Sequence, residues 1–197
     1  MMEKYKSTLM GLFLLVYFLV PFPLSAGAPT DQVRSTVDKV LAILKNPPAK
    51  DRRAQLRQVI YSRFDFTEMA KRSLGSHWRR RTPEEQREFV EIFTDLLEDS
   101  YLGRIEAFTD EKYFFNRETL EKDYAEVDTK MVTKNGEWFS LRYKLHLVNG
   151  DWKVYDVIVE NISLVNNYRS QFNRIIANSS YEELVRRLKE KQTELTK

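Results

Sequence analysis

Two Asn-Gly pairs, Asn135-Gly136 and Asn149-Gly150, separate stretches in which apolar and polar residues alternate. Asn and Gly tolerate the positive φ that tight hairpin turns require. Ahead of the first pair, Ala125, Val127, Thr129 and Met131 alternate with Glu126, Asp128 and Lys130. Between the pairs, Phe139, Leu141, Tyr143, Leu145 and Leu147 alternate with Ser140, Arg142, Lys144 and His146. After the second pair comes Trp152–Ile162. This pattern predicts three consecutive strands in an antiparallel meander, with Tyr113–Arg117 as a short edge strand. A strand of period two has one apolar face, and another layer must cover it. The last strand departs from the pattern. Tyr155, Val157, Ile158 and Val159 are apolar on both sides, which predicts cover on both faces there.

The covering layer is legible as helices on either side of the strands. Val33, Val37, Val40, Leu41 and Leu44 fall on one helical face, which Asn46-Pro47-Pro48 ends. A second helix is expected over Ala49–Tyr61. Asp65-Phe66-Thr67-Glu68 opens a short helix that stops near Gly75. Thr82-Pro83-Glu84-Glu85 opens a long one, with Phe89, Phe93, Leu96, Leu97, Tyr101, Ile105 and Phe108 along one side. After the strands, Leu164, Val165, Tyr168, Phe172, Ile175 and Ile176 share a face. Ser180-Tyr181-Glu182-Glu183 then starts a last helix, whose polar tail is expected to fray from about residue 189. The fold class is α+β: a curved antiparallel meander with helices packed on one face, before and after the strands, able to enclose an apolar cavity.

The N-terminus reads as an address. Lys4 and Lys6 precede an apolar run, Leu9–Val20, which Pro21 and Pro23 break before Ser25-Ala26-Gly27-Ala28. That is the pattern of a secretory signal peptide. Twelve residues of helix span only about 18 Å, against about 30 Å of hydrocarbon. Residues 1–26 are therefore expected to be cleaved, leaving 27–197 as one exported domain.

Composition narrows the chemistry. The chain has no cysteine, which excludes disulfides, thiolate metal sites and a cysteine nucleophile. Only His77 and His146 are available as imidazole ligands. A formal net charge of +3, from 32 basic and 29 acidic residues, gives no support to nucleic-acid binding. No glycine-rich phosphate loop, zinc-protease or serine-hydrolase motif is present. His146 falls on the polar side of its strand and reads as solvated. Arg79-Arg80-Arg81 fits a solvated connector or a contact with an anionic headgroup or acidic partner. Asp156, among Val154, Tyr155, Val157 and Ile158, is expected to pair with Arg142, Lys144 or Arg169.

The run Trp152-Lys153-Val154-Tyr155-Asp156-Val157-Ile158-Val159-Glu160-Asn161-Ile162-Ser163-Leu164-Val165-Asn166-Asn167-Tyr168-Arg169-Ser170-Gln171-Phe172 resembles the signature of the MlaC (toluene-tolerance) family. Phe64-Asp65-Phe66-Thr67-Glu68-Met69-Ala70, Leu74-Gly75, Trp78 and the Gln86–Tyr101 stretch resemble it too, in the same order, over roughly Asp31 to Leu188. Asn161 stands where a glycine is expected, and Asn accepts positive φ better than most residues.

The resemblance implies a periplasmic carrier that holds a glycerophospholipid by its acyl chains. It would exchange this cargo, as a monomer without cofactor or metal, with two partners. One is an inner-membrane ABC transporter complex with its MCE-domain protein; the other is an outer-membrane lipoprotein–porin complex. The tails are expected between the meander's inner face (Val127, Met131, Leu141, Tyr143 and Leu145) and the helices carrying Phe93, Leu97, Tyr101, Val165, Tyr168 and Phe172. Two other readings stay open. One is an exported enzyme of ketosteroid-isomerase-like shape, using Asp156 with Tyr143 or Tyr168 for proton transfer. The other is a docking module with a filled core and no lipid.

Overall fold

The structure, a computed structural model, describes residues 28–46, 51–108 and 110–195. The expected export signal and the Pro47-Pro48 break lie outside those residues. Four helices come first: α1 (Pro29–Lys45), α2 (Arg52–Arg63), α3 (Phe66–Leu74), and, after a 3-10 segment over Gly75–Arg80, α4 (Pro83–Glu106). Strands β1 (Lys112–Glu121), β2 (Tyr124–Val132), β3 (Trp138–Val148), β4 (Asp151–Val159) and β5 (Ile162–Ser163) follow. Helices α5 (Leu164–Asn178) and α6 (Tyr181–Leu195) close the order. The sheet is antiparallel throughout, in the order β1-β2-β3-β4-β5. This is the expected α+β meander, with a longer first strand and a two-residue fifth.

The helix starts are built as the sequence implies. Asp65 Oδ1 accepts from Glu68 N at 2.8 Å, and Thr82 and Glu85 form a reciprocal capping box. Gly75 closes α3 at φ +58°, ψ −125°, a backbone region nearly restricted to glycine. Helix α6 continues through Leu195, because Lys189 reaches Glu88 at 2.7 Å and Gln192 reaches Asp95 at 2.8 Å on α4.

Two irregularities bend the sheet. The register shifts between Phe115 and Arg117 on β1 and between Lys144 and Leu145 on β3. The second shift sets Val154 opposite Leu145 and Asp156 opposite Lys144, so Tyr155 is the extra residue. This explains the loss of strict alternation in β4. Val154 and Val157 join the inner-face cluster and Tyr155 packs against the helical cluster, so both faces are covered over that stretch, whereas Val159, expected to be covered too, is exposed.

Among the described residues, three apolar clusters hold the chain. The largest lies among α3, α4, α5 and α6, centred on Met69, Phe89, Phe93, Leu96, Phe172 and Leu184. The second joins Val33 of α1 to Ala125, Val127, Leu145, Trp152 and Val154 of the sheet. The third joins Leu44, Leu56 and Leu102 of α1, α2 and α4. The helical group meets the sheet along β4. Phe64 bridges to Val154 in parallel and Asp65 N donates to Val154 O at 2.8 Å.

Candidate functional site

Strand alternation puts the five expected sheet residues on one face. Val127 and Tyr143 are directly opposite across β2 and β3, as are Ala125 and Leu145, Thr129 and Leu141, and Met131 and Phe139. Val127 and Leu145 are fully buried and Met131 nearly so, whereas Leu141 and Tyr143 remain half-buried. The helix that reaches this face is α1, through Val33 and Val37.

The six expected helix residues belong elsewhere. Phe93 meets Tyr168 edge-on at 5.2 Å and Phe172 at 5.8 Å, and Leu97 and Val165 are buried in the same cluster. Tyr101 packs on its border, half-buried. The two expected walls are thus in separate clusters, with Phe64 packed against both. Both stripes were assigned to one layer because periodicity marks which residues turn inward but not which inward face they meet. The helix that covers Val127 and Leu145 is the first one, whose amphipathic Val33 and Val37 were the available signal.

A surface cleft of about 710 Å³ lies apart from this inner face, with Tyr61, Phe66, Val90 and Thr94 among its lining residues. It contains none of the eleven expected residues.

Asp156 is buried, but its partners differ from those expected. Ser163 Oγ donates to Oδ2 at 2.6 Å and Val165 N to Oδ1 at 3.0 Å, so both oxygens cap the start of α5. The cations proposed as partners are engaged elsewhere. Arg142 bonds Asp128, Lys144 bonds Glu126, and Arg169 donates to Arg72 O. The phenols beside the expected site are pushed out of the titrating range. Burial raises Tyr143, with Tyr113 adding to it, and raises Tyr113 and Tyr168 to about 12. At neutral pH they are protonated and offer O–H groups, not a base. His146 is not simply solvated. Its Nε2 lies 3.0 Å from Asp65 Oδ2, and its ring packs in a triangle with those of Tyr124 and Tyr155. Of the arginine cluster, Arg79 and Arg80 are exposed, while Arg81 covers the Tyr181 ring at 4.4 Å. Among the described residues no group of three His, Asp or Glu could hold a metal ion, and no helix is long and apolar enough to cross a membrane.

The fold and this face define a class: α+β domains with a bent antiparallel sheet whose apolar face is roofed by helices. The MlaC protein family model matches residues 34–190, and the chain belongs to the MlaC family. It is 27% identical over 171 residues to the toluene tolerance protein Ttg2D of Pseudomonas putida, covering 80% of this chain and 79% of that protein. It is also similar to a solved phospholipid-binding protein from Ralstonia solanacearum in complex with a phospholipid. That match has 28% identity and a TM-score of 0.77, and covers 85% of this chain and 98% of the other.

Proposed function

We propose that this protein is a periplasmic phospholipid carrier. It holds a glycerophospholipid by its acyl chains and passes it between the outer membrane and an inner-membrane ABC transporter. The observation that carries this reading is the inner sheet face. Leu141 and Tyr143 occupy its centre without being sealed, beside fully buried Val127 and Leu145. Such a face can hold acyl chains, and a related protein of the same fold was solved with a phospholipid bound.

The physics requires such a protein. A diacyl lipid exposes on the order of 30 methylenes, each costing about 0.8 kcal/mol in water, or ~25 kcal/mol in all. Free diffusion across an aqueous compartment is closed at that penalty. On this reading Met131, Leu141 and Tyr143 line the cargo, Val127 and Leu145 form the floor beneath it, and Phe93, Leu97, Val165, Tyr168 and Phe172 are the frame. Tyr101, half-buried on the border of that frame, is the one expected helix residue kept as pocket wall. The partners are the transporter with its MCE-domain protein and the outer-membrane lipoprotein–porin complex. Both oxygens of Asp156 are spent on α5, which favours a carrier over the enzyme reading.

The test is organic extraction of the purified protein followed by mass spectrometry, with uptake of labelled lipid from vesicles. About one phospholipid per chain is expected. A protein that is empty and takes up no lipid overturns the reading.

A further inference from the structure

Away from Glu118, which lies opposite Val127 and accepts from Thr30 of α1, the polar groups of the inner face follow one diagonal. Thr129 on β2 faces Phe115 of β1 and Leu141 of β3, neither of which offers a side-chain acceptor or donor. Its Oγ1 is buried and has no hydrogen-bond partner, and the residue is 2% exposed. Two positions along on β1, Tyr113 stands opposite Met131. Two positions along on β3, Tyr143 stands opposite Val127. Diagonal neighbours in an antiparallel sheet lie about 7–8 Å apart, within reach of long side chains. The Tyr113 and Tyr143 phenols are near enough for the first to raise the pKa of the second. Three hydroxyls therefore run obliquely across three strands, among the apolar side chains of this face. Each is protonated at neutral pH, so each can donate.

A buried, unpartnered hydroxyl is unfavourable, and a valine would fill the same slot without that cost. The carrier proposed above brings a group with the complementary need. The glycerol esters of a diacyl lipid are carbonyl acceptors, and when the chains are drawn into a dry site those acceptors need donors. We propose that Thr129, flanked by Tyr143 and Tyr113, donates a hydrogen bond to an ester carbonyl of the bound lipid, so that the protein selects ester-linked over ether-linked lipids. The inference rests on the carrier reading and adds a position and a chemical preference to it.

The test compares a diester and a diether phosphatidylglycerol of equal chain length, both presented to delipidated protein from vesicles. The wild type is expected to take up the diester about five- to tenfold more tightly, the worth of one good hydrogen bond. Thr129→Val is expected to bring the two lipids within about twofold of each other. Delipidated Thr129→Val is expected to melt at or above the wild type, because no partner is lost. Tyr143→Phe is expected to reduce the preference in part. A wild type that does not discriminate, or a Thr129→Val that keeps the full preference or weakens both lipids alike, overturns the inference and leaves the carrier reading standing. Uptake of neither lipid by the wild type overturns both.

Discussion

Arg63 ties three parts of the chain together through one guanidinium. It donates to Gln32 Oε1 at 2.5 Å and Thr36 Oγ1 at 3.2 Å on α1, to Asp151 Oδ1 at 2.9 Å, and to Trp152 O. A planar fork suits that geometry, which a lysine would meet only in part. Arg63→Met should cost about 2–4 kcal/mol by removing the donor to Trp152 O and the guanidinium partner of Asp151. A urea midpoint read at constant m would measure it. The loss should depend on pH. Burial alone would raise Asp151, but bonds from Lys153 and Arg63 outweigh it and lower its pKa below the ordinary 3.8. A carboxylate lowered on folding stabilises above its unfolded pKa, and that contribution fades as pH falls through the folded one. The gap between wild type and Arg63→Met should therefore narrow from pH 6 to pH 3. A constant gap would refute the Asp151 linkage. Little of this was legible in the sequence. Asp156 stood out as a carboxylate among apolar residues, yet its partners are a serine and a backbone N–H supplied where the chain folds back into α5. Such partners have no charge signature.

At the scale of elements, the turns explain both what could be read and what could not. Asn149 and Gly150 have φ of +51° and +82°, the paired positive values that Asn-Gly announced. Glu160 and Asn161, at φ +47° and +66°, make the corresponding turn between β4 and β5, and Asn161 takes the conformation expected of its departure from glycine. The β1–β2 turn is Lys122-Asp123, with Lys122 at φ +52° and no glycine or asparagine to mark it. Residues 116–121 of β1 are exposed on both sides, so they show no alternation either. This is why the first strand reads as five residues and is built of ten. A positive φ costs a branched-at-Cα residue roughly 1–2 kcal/mol, and glycine returns part of that as unfolded-state entropy. Lys122→Gly should then raise stability by about 0.5–1 kcal/mol, and Asn161→Ala should lower it by a similar amount. Each is a shift of a few degrees in Tm by calorimetry. Equal Tm values for all three proteins would contradict the assigned backbone.

At the scale of the molecule, the strands, the helices and their order were legible because periodicity reports which residues turn inward. Which stripe meets which was not, because the joining contacts are long-range. The β4 edge receives Phe64, and α1 crosses the inner face. The resulting division between sealed core and cargo wall has a direct consequence. Phe93→Ala empties the closed aromatic cluster and should cost about 3–5 kcal/mol of stability. Leu141→Ala acts on a half-buried position and should cost much less, while weakening lipid uptake severalfold. Reversal of that order would place the cargo among α4 and α5 instead. Removing the lipid separates the clusters further. A ligand present at 100 times its Kd stabilises the native state by about 2.7 kcal/mol. Its local effect falls on the elements that it orders. Hydrogen exchange after delipidation should accelerate in β2, β3 and α1, which carry Thr129, Tyr143 and Val37. Phe89, Phe93 and Leu184 sit in a core complete without cargo, so the amides around them should change little beyond the global shift. Uniform acceleration across α4 and α6 would mean that the lipid holds the helical cluster as well, and that the two apolar bodies act as one.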